Sequence, residues 1–187
     1  MTLLGKNNLA PSYKMNNIYD KVNLFICDVD GVLTDSKIFY GEKDYSGKFF
    51  NVRDGLAFKL LKSAGIKSMI LSGKKSGILK NRLKEIEVDI VFDNIKDKLK
   101  ILKEFCDKQK YKFENICYIG DDLNDIPVLK NVGLPVAPSD AVDEVKRIVS
   151  IITKQQGGHG AVREIVEKII KGQDKWEKIL KKYLSYF

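Results

Sequence analysis

Residues 24–35 read Leu-Phe-Ile-Cys-Asp-Val-Asp-Gly-Val-Leu-Thr-Asp: an apolar run of strand length ends at two carboxylates one residue apart. Residues i and i+2 of a strand point to the same side, so we expect Asp28 and Asp30 to face one site at the carboxyl edge of a buried parallel strand. Two acids in one place repel each other unless a cation or a shared proton compensates, and Mg²⁺ prefers oxygen ligands. The alternative, an Asp-Gly turn that ends a hairpin strand, is less favoured because the apolar run is unbroken and a later acid cluster matches it.

Length and composition are typical of one globular domain. The chain has 187 residues, of which 44% are hydrophobic and 31% charged, enough to form a core. No apolar run reaches membrane-spanning length, and the first residues lack the apolar segment of a signal peptide. The three cysteines, Cys27, Cys106 and Cys117, lack metal-ligand spacing. We therefore expect reduced thiols in a cytoplasmic protein without membrane insertion.

The net charge of +8 permits nucleic-acid binding without requiring it. The lysines are scattered along the chain and many stand beside acids, which favours a solvated surface and suits a small anionic substrate. A nucleic-acid-binding protein is the alternative, but the sequence has no recognised motif and no stripe of aromatic and basic residues. We therefore expect no nucleic-acid partner.

Strands that alternate with helices predict an α/β fold with a doubly wound, three-layer, Rossmann-like parallel sheet. We expect a leader over residues 1–20 with a short helix near Tyr19, a main domain over 21–172, and an amphipathic tail over 173–187 that docks on the body, on a neighbour or on a membrane surface. Asp54 is expected to cap the helix that follows a β-hairpin over about 36–51. The core strands are predicted at 22–27, 66–71, 88–92, 116–119, 134–137 and 149–152.

Polar residues follow several of these strands, where such a fold places its site. They are Asp28 and Asp30, then Ser72, then Lys98, then Asp121, Asp122 and Asp125. Each is a weak signal alone, but together they fit phosphoryl transfer. One carboxylate attacks phosphorus, another moves protons, and Mg²⁺ with a lysine offsets the phosphate charge. Gly73 suits a backbone that approaches phosphate oxygens closely.

These motifs match those of the haloacid dehalogenase (HAD) superfamily of phosphatases: residues 28–35, Leu71-Ser72-Gly73, Lys98 and residues 120–125. More narrowly, residues 51–55 and 157–164 resemble the 3-deoxy-D-manno-octulosonate 8-phosphate phosphatases. The likeness covers roughly residues 22–171. It implies a Mg²⁺-dependent hydrolase of a sugar-acid phosphate that serves lipopolysaccharide or other surface-polysaccharide synthesis.

The resemblance also implies a mechanism. Asp28 would be the nucleophile and form an aspartyl-phosphate, and Asp30 would act as general acid and then base. Mg²⁺ would be held by the carboxylates of Asp28 and Asp121 and by the backbone carbonyl of Asp30. Ser72 and Lys98 would bind the transferring phosphoryl group.

Further site residues follow from the same resemblance. Asp122 and Asp125 would orient the metal and Lys98. Lys59 and Lys74 stand where the octulosonate enzymes commonly have arginine, which leaves a phosphatase of a nine-carbon ulosonate 9-phosphate as the alternative. Arg53, Lys59, Lys74 and Arg163 are the candidates for binding the sugar carboxylate. The implied substrate-contacting residues are Asp30, Asn51, Val52, Arg53, Asp54, Gly55, Lys59, Gly73, Lys74, Arg82 and Lys98.

The chain leaves no room for the cap domain that many superfamily members carry. The resemblance implies a homo-oligomer, a tetramer, in which a neighbour's hairpin and C-terminal segment close each site. The alternative for the hairpin's large apolar residues is packing on their own core. A non-catalytic oligomerisation module is a further alternative, disfavoured because Asp28, Asp30, Lys98 and Asp121 are all present.

Overall fold

A parallel sheet organises the structure, a computed structural model that describes residues 17–42, 46–74 and 77–185. Within these residues, six strands form one parallel sheet in the order β5-β4-β1-β6-β7-β8, and two more form an antiparallel pair. The strands are β1 (Leu24–Cys27), β2 (Phe39–Tyr40), β3 (Ser46–Gly47), β4 (Lys67–Leu71), β5 (Ile90–Phe92), β6 (Ile116–Ile119), β7 (Leu134–Ala137) and β8 (Ile151–Ile152).

Helices cover both faces of the sheet. They are α1 (Val52–Ala64), α2 (Gly77–Glu85), α3 (Lys98–Gln109), α4 (Ile126–Leu129), α5 (Asp143–Lys146), α6 (Ala161–Gly172) and α7 (Trp176–Leu184). Phe25 and Cys27 of β1 belong to the core layer that includes α1 and α6, whereas Leu24 and Ile26 belong to the layer that includes α3 and α4. This alternation buries both faces of β1 and confirms the predicted three-layer α/β fold.

The described end of the predicted leader is a turn that is fixed to α6. Residues 18–21 form this turn, so the short helix expected near Tyr19 is wrong. Gln173 Nε2 donates to the carbonyl oxygens of Tyr19 and Val22 at 2.8 and 2.7 Å. Residues 1–16 of the predicted leader lie outside the described residues.

The predicted hairpin is short and exposes two of its aromatic side chains, Tyr40 and Phe49. β2 pairs with β3 through Phe39 and Gly47 and through Tyr40 and Ser46, and residues 43–45 lie outside the described part of the chain. Tyr40 is 81% exposed and Phe49 is 69% exposed. Packing on the chain's own core therefore does not account for these two side chains.

The tail helix α7 docks on the body of its own chain. Ile179 is buried, and Trp176 and Tyr183 pack against the core that α1 and α6 share. Lys171 Nζ lies 4.7 Å from the centre of the Trp176 ring. Residues 186–187 of the predicted tail lie outside the described range. No helix among the described residues has the length and apolar character needed to cross a membrane.

Asp54 joins α1 to α6 rather than capping α1, so the predicted cap is wrong. Asn51 is the cap, and its side-chain oxygen accepts the Arg53 N–H at 2.8 Å. The Asp54 carboxylate is buried and accepts the backbone N–H groups of Gly160 at 3.1 Å and Arg163 at 2.8 Å. The first turn of a helix leaves its N–H groups without intrahelical acceptors. The Asp54 carboxylate provides acceptors for two of these N–H groups at the start of α6.

We predict that Asp54→Ala lowers the free energy of unfolding by about 1–3 kcal/mol, because it leaves the buried N–H group of Gly160 and the partly buried N–H group of Arg163 without acceptors. Urea denaturation measures this change, with Ser63→Ala on the exposed side of α1 as the matched control. A variant as stable as the control would show that Asp54 does not hold α6 in place.

Candidate active site

A polar cleft lies at the carboxyl edge of the sheet, where β1, β4 and β6 end. β1 pairs with both of the other strands, so the loops that follow the three strands meet. The cleft has a volume of about 590 Å³. Its lining residues are Asp28, Asp30, Ser36, Ile38, Ser72, Gly73, Lys74, Asp121, Asp122, Leu123 and Asn124.

A buried ion network forms the floor of this cleft. The Lys98 ammonium lies 2.9 Å from Asp28 Oδ1 and 2.7 Å from Asp125 Oδ1. The Tyr118 hydroxyl donates to the same Asp125 oxygen at 2.5 Å. Lys98 is the first residue of α3, after the capping residue Asp97, and the structure places it against Asp28.

Asp125 organises the loop that carries Asp121. Its second carboxylate oxygen accepts the backbone N–H groups of Asp121 at 3.0 Å and Asp122 at 3.4 Å. Gly120 permits this approach, since a Cβ there would lie 2.5 Å from the Asp125 carboxyl carbon. Asp125 is therefore occupied by Lys98 and by the loop, which agrees with an orienting role.

Asp121 has the features of a metal ligand. Its Oδ1 is buried with no hydrogen-bond partner in the described part of the chain. One carboxylate oxygen from each of Asp28, Asp121 and Asp125 lies within 4.8 Å of the others. Oxygen donors of this kind suit Mg²⁺, so the residues present fit the predicted ion. Asp28 and Asp121 are the carboxylates that would hold it.

The protein alone leaves this cluster short of positive charge. Burial, and then the nearby Asp125, raise the pKa of Asp28 to about 6, although Lys98 opposes the shift. Burial, and then the charge of Asp28, raise the pKa of Asp121 to about 8. Both directions show that an added cation would stabilise the ionised carboxylates.

Gly31 brings the loop after β1 against Asp121. It has a φ of +83°, which favours glycine, and a Cβ there would lie 1.8 Å from Asp121 Oδ2. The turn at Gly31, beyond the end of β1, thus leaves space for the Asp121 carboxylate.

Asp30 lies at the cleft wall, and Lys48 contacts it. Lys48 Nζ is 2.5 Å from Asp30 Oδ1, with the lysine side chain 9% exposed and the aspartate side chain 28% exposed. Sequence reasoning missed Lys48, which was grouped with the hairpin, and also missed Tyr118, which was grouped with the core. The position of Lys48 between apolar stretches of the hairpin was a sequence signal that could have marked it. For Tyr118 the sequence offers no such signal.

The structure brings some of the predicted substrate-contacting residues to the cleft. Gly73 and Lys74 line it beside Asp30. Ser72 also lines it, although its side chain is nearly buried, and its hydroxyl accepts the Lys74 N–H at 3.3 Å.

Other predicted substrate contacts lie outside the lining of the cleft. Asp54 faces α6, and Arg163 pairs with Glu167 at 2.6 Å. Arg82 donates to the Asn51 carbonyl oxygen at 3.1 Å. A second pocket of about 240 Å³ is lined by Val52, Gly55, Leu56, Lys59, Arg82, Glu85 and Ile86. Asn51 and Arg53 line neither the cleft nor this pocket.

The chain resembles known phosphatases in sequence and in structure. Residues 81–165 match the family of haloacid dehalogenase-like hydrolases. The 3-deoxy-D-manno-octulosonate 8-phosphate phosphatase of Yersinia pestis is 37% identical, covering 83% of each chain, and that of Escherichia coli K12 is 34% identical over the same shares. The enzyme of that name from Moraxella catarrhalis, solved with magnesium, phosphate and a KDO molecule, superposes with a TM-score of 0.86 at 32% identity, covering 90% of this chain and 99% of its own.

We predict that Asp121→Asn raises the melting temperature of the metal-free protein at neutral pH. Folding moves the Asp121 carboxyl into a site that raises its pKa to about 8 and so disfavours its ionised form, and an amide carries no such penalty. In a chain of this size, each kcal/mol of relief corresponds to about 2–4 °C. Mg²⁺ should raise the melting temperature of the wild type and of an exposed control, Asp107→Asn, but not that of Asp121→Asn. Thermal scans with and without Mg²⁺ check this, and an equal Mg²⁺ effect in all three proteins would exclude Asp121 as a ligand.

Proposed function

The chain belongs to the 3-deoxy-D-manno-octulosonate 8-phosphate phosphatases, among the haloacid dehalogenase-like hydrolases, and from this membership we propose its reaction. It hydrolyses 3-deoxy-D-manno-octulosonate 8-phosphate to the free sugar acid and phosphate, with Mg²⁺ as cofactor. The observation that carries this proposal is the buried contact of Lys98 with Asp28 at the carboxyl edge of the sheet, beside an unpartnered Asp121 oxygen. The nine-carbon alternative is not favoured, because the relatives named above are 8-phosphate enzymes.

Asp28 is the proposed nucleophile. One of its oxygens attacks phosphorus, the bond from phosphorus to the sugar oxygen breaks, and an aspartyl-phosphate forms. Lys98 supports this assignment because its ammonium lies 2.9 Å from Asp28 and can offset charge on the transferring group. Mg²⁺ would be held by the carboxylates of Asp28 and Asp121 and by the backbone carbonyl of Asp30. It would supply further positive charge to offset the negative charge of the phosphoryl group.

Asp30 is the proposed general acid and base. It donates a proton to the leaving sugar oxygen in the first step and accepts one from the water that attacks phosphorus in the second. Its side chain is partly exposed at the cleft wall, two residues beyond Asp28, which supports contact with both the leaving group and water. Ser72, Gly73 and Lys74 line the same cleft, where a hydroxyl, a backbone N–H and an ammonium suit phosphate oxygens.

The predicted sugar-contacting residues outside the cleft support a proposal about assembly. We infer a homotetramer in which a neighbour's hairpin and C-terminal segment close each site and exclude water. Tyr40, Phe49 and Val52 are 81%, 69% and 80% exposed and would form the apolar contact. The three thiols, Cys27, Cys106 and Cys117, are free and buried. Free thiols suit the cytoplasm, where the product would enter surface-polysaccharide synthesis.

We predict that Asp28→Asn abolishes phosphate release from 3-deoxy-D-manno-octulosonate 8-phosphate while the fold survives. The amide has the same shape, and Lys98 keeps Asp125 as a partner at 2.7 Å. Asp107→Asn, an exposed change of the same kind on α3, is the control and should keep full activity. Turnover by a folded Asp28→Asn protein would rule out the covalent mechanism.

We predict that Arg53→Ala lowers kcat/KM for the sugar-acid phosphate roughly tenfold to a hundredfold, as expected for a lost charge-assisted contact to a carboxylate. A small aryl phosphate lacks that carboxylate, so its hydrolysis should barely change. Arg147→Ala at the exposed end of α5 is the control. Equal losses on both substrates would assign Arg53 to the phosphoryl group or to the fold.

A further inference from the structure

Lys48 connects the hairpin flap to the proposed general acid and base. It follows directly after β3 and reaches back across 18 residues of sequence to Asp30 Oδ1. Its side chain is 9% exposed, an unusual degree of burial for a lysine. A buried ammonium loses hydration, so this position is stable only with a charged partner, and Asp30 is that partner.

The residues on each side of Lys48 hold it in place. Gly47 lies under the Phe39 ring, where a Cβ would come within 2.2 Å of the ring, and so keeps the two strands of the flap close together. Phe49 packs on Phe39 with ring centres 5.7 Å apart, and Phe50 packs against the main core. The backbone that carries Lys48 is thus fixed at both ends by aromatic contacts.

Asp30 needs such a support more than Asp28 does. Asp28 is held from within the fold by Lys98, whereas the Asp30 side chain stands at the cleft wall and is 28% exposed. The Lys48–Asp30 pair is partly buried, and its proposed effect on the reaction is the position that it gives the Asp30 carboxylate. Proton transfer requires an oxygen within hydrogen-bond reach of the reacting atom, and a misplacement of about 1 Å can cost a hundredfold in rate.

We propose that Lys48 is a positioning residue for this reaction: its ammonium binds Asp30 Oδ1 and holds the carboxylate so that Oδ2 serves the leaving oxygen and then the attacking water. This inference rests on the role of Asp30 in the proposed function. It gives the flap a chemical task in addition to covering the site.

The first test is the effect of Lys48→Met, which keeps most of the side-chain volume and removes the charge. We expect kcat for the sugar-acid phosphate to fall about tenfold to a hundredfold with little change in KM, and Lys48→Arg to recover most of the loss. Lys37→Met is the matched control: this lysine lies on the same flap, 82% exposed and paired with Asp35, and its loss should leave kcat unchanged. A Lys48→Met enzyme with wild-type kcat would overturn the proposal.

The second test is a double-mutant cycle with Asp30→Asn. If Lys48 acts through Asp30, Lys48→Met should cost nothing further once Asp30 is replaced. If the loss persists in the Asp30→Asn background, Lys48 acts on substrate, assembly or fold, and the proposal is wrong. If Asp30→Asn alone leaves kcat unchanged, the proposed role of Asp30 as general acid and base is wrong. This outcome is distinct from one in which only the proposed role of Lys48 is wrong.

Discussion

Lys98 lies among three carboxylates and directly contacts two of them, Asp28 and Asp125. One ammonium cannot neutralise three carboxylates, and the raised pKa values of Asp28 and Asp121 reflect that imbalance. The arrangement persists because β1 and β6 are adjacent in the sheet, so the loops after them must share one edge. A cation at this edge of the sheet would favour the ionised form of these carboxylates near neutral pH, and this requirement supports the proposed use of Mg²⁺.

The sequence contained enough to predict this edge of the sheet. An unbroken apolar run followed by Asp28 and Asp30 indicates the end of a buried strand, and parallel strands bring such ends together without further information. Residue patterns alone do not separate Lys98 from its neighbours Lys96 and Lys100, and only the resemblance singles it out. The structure shows the difference, since Asp97 caps α3, Lys98 is buried and both neighbours are exposed. Which of the three lysines is buried depends on where α3 begins, and local charge patterns do not define that position.

Contacts between distant segments account for what sequence reasoning missed. Asp54 was predicted to cap its own helix, but its acceptors are used by N–H groups more than 100 residues away, at separations of 106 and 109. The predicted substrate role of Arg82 stays a prediction, but its guanidinium also donates to the Asn51 carbonyl oxygen and lies 6.0 Å from the Phe50 ring centre. Arg82 therefore supports the loop that carries Asn51, a contact that sequence reasoning did not include.

The site thus has two parts with different mechanical support. The proposed nucleophile, Asp28, is held by its place directly after β1 and by Lys98, both within the core of one chain. The proposed acid and base is fixed by Lys48, whose backbone belongs to a two-stranded flap with exposed aromatic residues. A hairpin of this size is marginal alone. Whatever covers Tyr40 and Phe49 therefore also steadies Asp30, and the proposed assembly would control the proton-transfer step more than the attack on phosphorus.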